Sequence, residues 1–246
     1  MLVQPADVEA FFHSHSLGTK LFVRARQRLF PFAQVLERVP QNGRVLDLGC
    51  GHGVFSLLVA KSRPQAEVVG VDPDVKKIGA LERAASRLDN LRSVCGRLEQ
   101  LAEAEFDCAA LLDVLIYLPL VKQIDLLAQV RERLKPDGLL LLAMNDTRPR
   151  WKFAMTYMQE RCMTWSRLTR AETLHFVAPE TMASSLRDIG FHPEIVPLPT
   201  RGIYPHVLLI GRRCDRVAAG AVRSSEAPVR GTQAPHGAPA RAALER

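Results

Sequence analysis

Val45-Leu46-Asp47-Leu48-Gly49-Cys50-Gly51-His52-Gly53 is the stretch on which the reading of this chain turns. An apolar run ends in Asp47 and breaks into three glycines at alternate positions. It then passes into Val54-Phe55-Ser56-Leu57-Leu58-Val59-Ala60, which suits a buried helix. A strand, a tight glycine turn and a helix start together form a nucleotide-type site. The glycines reach positive φ and leave no side chain between the backbone and a ligand. The spacing narrows the ligand. A dinucleotide fingerprint would read G-x-G-x-x-G, but here Val54 stands where the third glycine would be, and a phosphate-cradling loop would need a Gly-Lys-Ser/Thr that is absent. Asp47 would repel a pyrophosphate, whereas its carboxylate suits the cationic end of an amino acid.

Downstream, apolar strands alternate with helical stretches. Strand one covers about 44–48 and a helix about 53–62; Glu67 to Asp72 reads as strand two. Nearly all-apolar strands fit a parallel sheet covered on both faces. Asp72 ends its strand about twenty residues after the glycine turn, where a carboxylate can accept from both ribose hydroxyls. The competing reading is a helix N-cap. A helix of about 74–89, strand three over Leu91–Cys95, strand four over Phe106–Leu112 and a helix of about 120–134 follow. The turn Leu134-Lys135-Pro136-Asp137-Gly138 precedes strand five, Leu139–Met144. A helix running from Pro179 to Ile189, strand six over His192–Leu198 and strand seven over His206–Arg212 complete the series. The alternation predicts a doubly wound α/β fold with right-handed crossovers.

The acidic residue followed by G-x-G-x-G resembles the first motif of class I S-adenosylmethionine-dependent methyltransferases, and the likeness extends over about residues 40–145. Asp113-Val114-Leu115-Ile116-Tyr117-Leu118 resembles that family's fourth-strand motif, and the turn before strand five has a counterpart there. The resemblance implies a Rossmann-like seven-stranded sheet, mostly parallel with one antiparallel strand, in three α/β/α layers. It implies S-adenosylmethionine as cofactor, held by Asp47, Gly49, Cys50, Gly51 and Gly53, by Asp72 and Pro73, and by Leu98, Glu99, Asp113 and Val114. The family commonly carries an acidic residue after the glycine that follows strand three. Arg97 stands there instead, which leaves the backbone of Leu98 and the side chain of Glu99 for the adenine. Asp113 and Tyr117 face the cleft in this reading, and no catalytic base is assigned, with Tyr117 and His206 as the candidates.

Three segments flank or interrupt this domain of residues 41–213. Residues 1–40 read as an amphipathic helical lid with His13 and His15 as surface or lid histidines, poorly spaced for two ligands on one face. Lys20 and Arg24 stand one turn apart, where they could meet the carboxylate of a bound amino acid but read more simply as facing water. Residues 146–178 interleave aromatic residues and methionines, Tyr157 among them, with arginines, and read as an inserted helical wall of the acceptor pocket. From 214 to 246 the chain reads as a disordered basic tail.

A formal charge of +7 from scattered Lys and Arg reads as a solvated surface, with peripheral membrane contact left open. The five cysteines lack CxxC or metal spacing. Cys50, Cys95 and Cys108 read as small core residues, and an odd unpaired set with no signal pattern fits the cytoplasm. No apolar run reaches the ~18 residues of a membrane span. Asp113-Val114-Leu115-Ile116 replaces the Asn/Asp-Pro-Pro-Tyr/Phe motif that family enzymes methylating nucleobase amines or glutamine amides usually carry, which argues against nucleic acid. No metal cluster is evident. The expected activity is methyl transfer to an oxygen or carbon of a small aromatic, polyketide-like or lipidic acceptor, of the kind found in secondary metabolism. The alternatives are an RNA or protein methyltransferase and a non-catalytic cofactor-binding scaffold.

Overall fold

A computed structural model describes residues 6–102, 105–146, 174–199 and 206–215. The N-terminal segment forms α1 (Ala6–Glu9), a 3-10 turn (Ala10–Phe12), α2 (Leu17–Leu29) and α3 (Phe32–Leu36). Then come β1 (Asn42–Leu48), α4 (Val54–Ser62), β2 (Gln65–Asp72), α5 (Val75–Ala85), β3 (Leu91–Cys95) and β4 (Phe106–Leu112). The chain continues through α6 (Leu120–Arg133), β5 (Leu134–Asn145), α7 (Pro179–Asp188), β6 (Phe191–Leu198) and β7 (His206–Arg213).

The seven strands lie in the order β3-β2-β1-β4-β5-β7-β6. β7 runs antiparallel to both of its neighbours, and every other pairing is parallel. This is the sheet the sequence implied. Its core is divided by the period of two along each strand. Val45, Cys108, Ala110, Leu141 and Ala143 join the core beneath α3, α4 and α5, whereas Leu46, Ala109, Leu111, Leu140 and Leu142 join the core beneath α6 and α7. Two apolar cores on opposite faces make three layers. α4 lies deepest, with every residue from Val54 to Ala60 buried, as a run that is apolar but for Ser56 requires.

Local chemistry explains where elements begin and end. Gly53 caps α4 in the left-handed region, and Asp74 caps α5 by accepting from the N–H groups of Lys76 and Lys77. The Asp74 carboxylate is therefore the helix cap that competed with the ribose reading at Asp72. β6 carries Pro193 and Pro197, tolerated because it is an edge strand paired only with β7.

Four expectations are corrected. α5 stops at Ala85, short of 89. The Lys135–Gly138 turn does not precede β5 but lies within it: pairing with β4 jumps from Phe106↔Leu134 to Cys108↔Leu139, and Asp137 takes positive φ at the irregularity. His15 is buried, its Nε2 within 2.9 Å of the Ala80 carbonyl and its ring tilted against Phe12, so it anchors the N-terminal segment to α5. Cys95 is exposed at the end of the edge strand β3, while Cys108 is fully buried and Cys50 half-buried. Tyr157, nearly all of the segment 146–178 and all but the first two residues of the tail from 214 lie outside the described residues. Among the described residues, no helix is long and apolar enough to cross a membrane.

Candidate cofactor and acceptor site

The carboxyl ends of β1, β2 and β4 converge where open α/β sheets bind ligands. After β1 the chain reverses sharply. The N–H groups of Gly49 and Cys50 both donate to the Val71 carbonyl, at 2.7 and 3.1 Å, and Gly53 N–H donates to Cys50 O at 2.8 Å. All three glycines have positive φ, but they serve different ends. A Cβ at Gly49 would fall 2.5 Å from Val114, and one at Gly53 would fall 2.2 Å from Leu81, so these two permit close packing. A Cβ at Gly51 would meet nothing within 4 Å. The turn is therefore packed from behind and open in front.

Two carboxylates border that opening. Asp47 is buried and accepts a 2.5 Å hydrogen bond from the Ser56 hydroxyl, one turn into α4. Burial pushes its pKa up to about 6, partly offset by the Ser56 hydroxyl and N–H. No ion pair reaches Asp47 among the described residues. A cation brought beside such a carboxylate would favour its charged form and lower that pKa again. Asp72, also buried, accepts from Gly51 N–H at 3.0 Å through one oxygen and from Asp74 N–H at 2.9 Å through the other. Each oxygen keeps a further lone pair. Asp72 thus ties the glycine turn to the end of β2 while still able to accept from a diol.

The third strand end is less regular. Leu98 is buried on a 3-10 turn at Leu98–Gln100, Glu99 and Arg97 are exposed, and Gln100 accepts from Arg97 N–H at 2.9 Å. Pro73 follows Asp72, and its carbonyl lies 4.0 Å from Cys95 Sγ.

At the end of β4, Asp113 takes φ +61° and donates its N–H to Ala143 O at 3.1 Å. This left-handed turn aims its carboxylate across the sheet edge. There Arg26 of α2 donates to it at 2.7 Å, and His206 of β7 approaches within 3.2 Å. Burial alone would raise the Asp113 carboxyl. His206 and Arg26, through charge and hydrogen bonding, outweigh it and hold that carboxyl well below the usual carboxylate range. Phe30 packs edge-on against the His206 ring at 5.4 Å and beneath the Arg26 guanidinium at 4.5 Å. A small cavity beside Asp113 is lined by Ile116, Ala143, Met144, Asn145 and Phe176.

Val114 packs over Gly49, and Tyr117 is half-buried on the 3-10 turn Leu115–Tyr117. His13 is exposed and bonds within its own turn to Ala10 O at 2.8 Å. Lys20 is exposed, and so is Arg24, which lies 3.8 Å from Glu9. Arg26, Ser56 and the Phe22–His52 ring pair, 4.9 Å between centroids, are site features that sequence reasoning missed. Ser56 was legible in principle: a lone hydroxyl in a buried apolar helix needs a partner.

Residues 19–194 match a family model described as a methyltransferase domain. The chain belongs to the class I S-adenosylmethionine-dependent methyltransferases. This methyltransferase is 29% identical over 167 residues to a ubiquinone biosynthesis O-methyltransferase of Xylella fastidiosa, covering 66% of each chain. It is 41% identical over 76 residues to ribosomal RNA small subunit methyltransferase G of Methylobacillus flagellatus, covering 30% of this chain and 37% of that one. The first of the curated relatives are matched over about a third to two thirds of their length, and others over less. The fold is shared with the 1,6-didemethyltoxoflavin-N1-methyltransferase of Burkholderia thailandensis, solved with S-adenosylhomocysteine. That likeness has a TM-score of 0.63 at 19% identity and covers 87% of this chain and 92% of that one.

Proposed function

We propose that the protein transfers a methyl group from S-adenosylmethionine to an oxygen or carbon of a small aromatic, polyketide-like or lipidic acceptor. The observation that carries this reading is the open glycine turn bracketed by two buried carboxylates of different character. Asp47, without a countercharge, would meet the amino acid ammonium. Asp72, with one lone pair free on each oxygen, would accept from the ribose hydroxyls. The N–H groups and missing side chains of the turn would let the chain approach between them, and the backbone around Leu98 would border the adenine. Glu99 is exposed beside it and could hydrogen-bond the adenine amino group only from solvent.

When bound, the sulfonium supplies an electrophilic methyl group together with its own leaving group. The chain's task is accordingly to hold, align and exclude water. Val114, and Ile116, Met144 and Phe176 beside Asp113, give this end an apolar border on which a greasy acceptor could rest, while Gln123, Asn145 and His175 line the same small cavity. Tyr117 and His206 stand at this end, and a base is required only for an acceptor that is not already nucleophilic. The name of the Xylella relative points the same way, to an O-methylated small molecule.

Calorimetric titration with S-adenosylmethionine and S-adenosylhomocysteine, on wild type and Asp72→Ala, tests the cofactor half. Binding by wild type and its loss in the variant are expected; absence of binding to folded wild type would sink the reading. A labelled-methyl screen of aromatic and lipid acceptors tests the other half. The net charge of +7 and the match to a ribosomal RNA methyltransferase favour RNA as the second reading, and methyl transfer to RNA alone would replace the first.

A further inference from the structure

We propose that Arg26 is a positioning residue: by clasping Asp113 at the end of β4, it fastens the N-terminal segment across the cofactor cleft and slows cofactor release. The proposal rests on the cofactor reading above.

Of the four cations of α2, three are exposed: Lys20, Arg24 and Arg28. Arg26 differs in every respect. Its guanidinium donates through Nη1 to Asp113 Oδ2 at 2.7 Å and through Nη2 to Leu112 O at 3.4 Å. Its planar group lies 4.5 Å from the centre of the Phe30 ring and 5.7 Å from that of Phe32. Two acceptors and two aromatic faces define one orientation, which a solvated helix arginine does not have.

The partner is equally committed. Asp113 occupies a left-handed backbone conformation that non-glycine residues seldom adopt, and such a conformation persists only where its surroundings over-determine it. Arg26 and His206 are those surroundings. With side-chain exposures of 28% and 14%, the Arg26–Asp113 pair is shielded enough to be strong yet stays in reach of water, so it can open.

Position gives the clasp its consequence. One turn before Arg26, on the same face of α2, Phe22 leans on His52 of the glycine turn. Still earlier, His15 is fixed to the Ala80 carbonyl of α5. The segment therefore crosses the edge of the sheet from α5, over the glycine turn, to β4. His15 fastens one end and Arg26 the other. A ligand between Asp47 and Asp72 lies under this span and must leave past it, as behind any closing loop.

The test measures S-adenosylhomocysteine release by stopped-flow displacement in wild type, Arg26→Gln, Arg26→Lys, Asp113→Asn and the Arg26→Gln/Asp113→Asn double variant. It also measures amide exchange across α2 with and without that ligand. Removing one member of a shielded charge pair acts mainly on the off-rate, so Arg26→Gln is expected to speed release about tenfold or more with little change in association. Arg26→Lys should restore part of the loss, since the charge returns without the fork and the stacking. The double variant should release no faster than the faster single, because both remove one contact. Ligand-induced protection of α2 should vanish in Arg26→Gln while α4 keeps its own. Arg24→Ala, which alters an exposed cation of the same helix, should release as wild type does. Release within twofold of wild type, or unchanged α2 protection, in a folded Arg26→Gln would overturn the proposal alone. Failure of folded wild type to bind would overturn the cofactor reading with it.

Discussion

Asp47→Asn gives the sharpest test of how the proposed cofactor end is built. The Asp47 carboxyl is raised from an ordinary value of 3.8 to about 6, because burial disfavours its charged form more than Ser56 offsets. The folded protein therefore holds this proton more tightly than the unfolded chain does. The resulting stability is fully present below about pH 3.8 and is lost as pH rises through about 6. At roughly 1.4 kcal/mol per tenfold, the loss is about 3 kcal/mol by neutral pH, as an order of magnitude. Asp47→Asn keeps the oxygen that Ser56 donates to and removes the charge. The ligand-free variant should accordingly gain up to about 3 kcal/mol over wild type at pH 8 and nothing at pH 4, measured by urea unfolding across that range. Binding should move oppositely. An ammonium beside Asp47 favours the ionised form, so S-adenosylhomocysteine should release a proton from wild type near pH 6, seen as buffer-dependent binding heat. The variant should bind weakly and release none. Parallel pH–stability curves for the two proteins would refute the reasoning, because they would mean that Asp47 titrates alike in folded and unfolded states.

The glycines of the turn separate packing from binding. Gly53→Ala would place a methyl 2.2 Å from Leu81 at φ +76°, and should cost roughly 2–4 kcal/mol in urea unfolding, combining backbone strain and overpacking. Gly51→Ala meets no protein atom, so only the φ cost of roughly 1–2 kcal/mol should appear in stability, while calorimetric cofactor binding is lost to the methyl group in the opening. Asn90→Ala should cost about 1–3 kcal/mol in the same unfolding assay, because Asn90 Nδ2 donates to the carbonyls of Ala60, Arg63 and Ala66 and all three would lose that donor.

The sheet was legible because its signals are local. Apolar runs such as Val68–Asp72, Phe106–Leu112 and Leu139–Met144, bounded by glycine, proline or acidic turns, mark the strands, and the alternation with helices dictates parallel order for the first five. Errors arose where tertiary contacts override local signals. The Pro136-Asp137-Gly138 turn looked like a strand boundary, yet β4 and β5 resume pairing past it with a register jump that only the partner strand reveals. His15 reads in the sequence as a surface or lid residue, and its burial depends on Ala80, 65 positions away.

The same division runs through the site, and it follows from how each half is assembled. Asp47, the glycine turn, Ser56 and Asp72 fall within 26 residues, because one strand-turn-helix-strand unit brings them together. Residue type and spacing suffice to find such a unit. The proposed acceptor end is gathered differently: Arg26 meets Asp113 across 87 positions and His206 meets it across 93, from an N-terminal helix, a middle strand and the antiparallel strand. Arg26 stands among three other cations on α2, and no spacing rule separates it from them. Only the backbone turn at Asp113, which aims a carboxylate at one particular face of that helix, singles it out. The cofactor-like unit is written in neighbouring residues and the Asp113 cluster in contacts between distant ones, so substitutions at Arg26 and Asp113, which touch, should be coupled to each other more strongly than either is to Asp72.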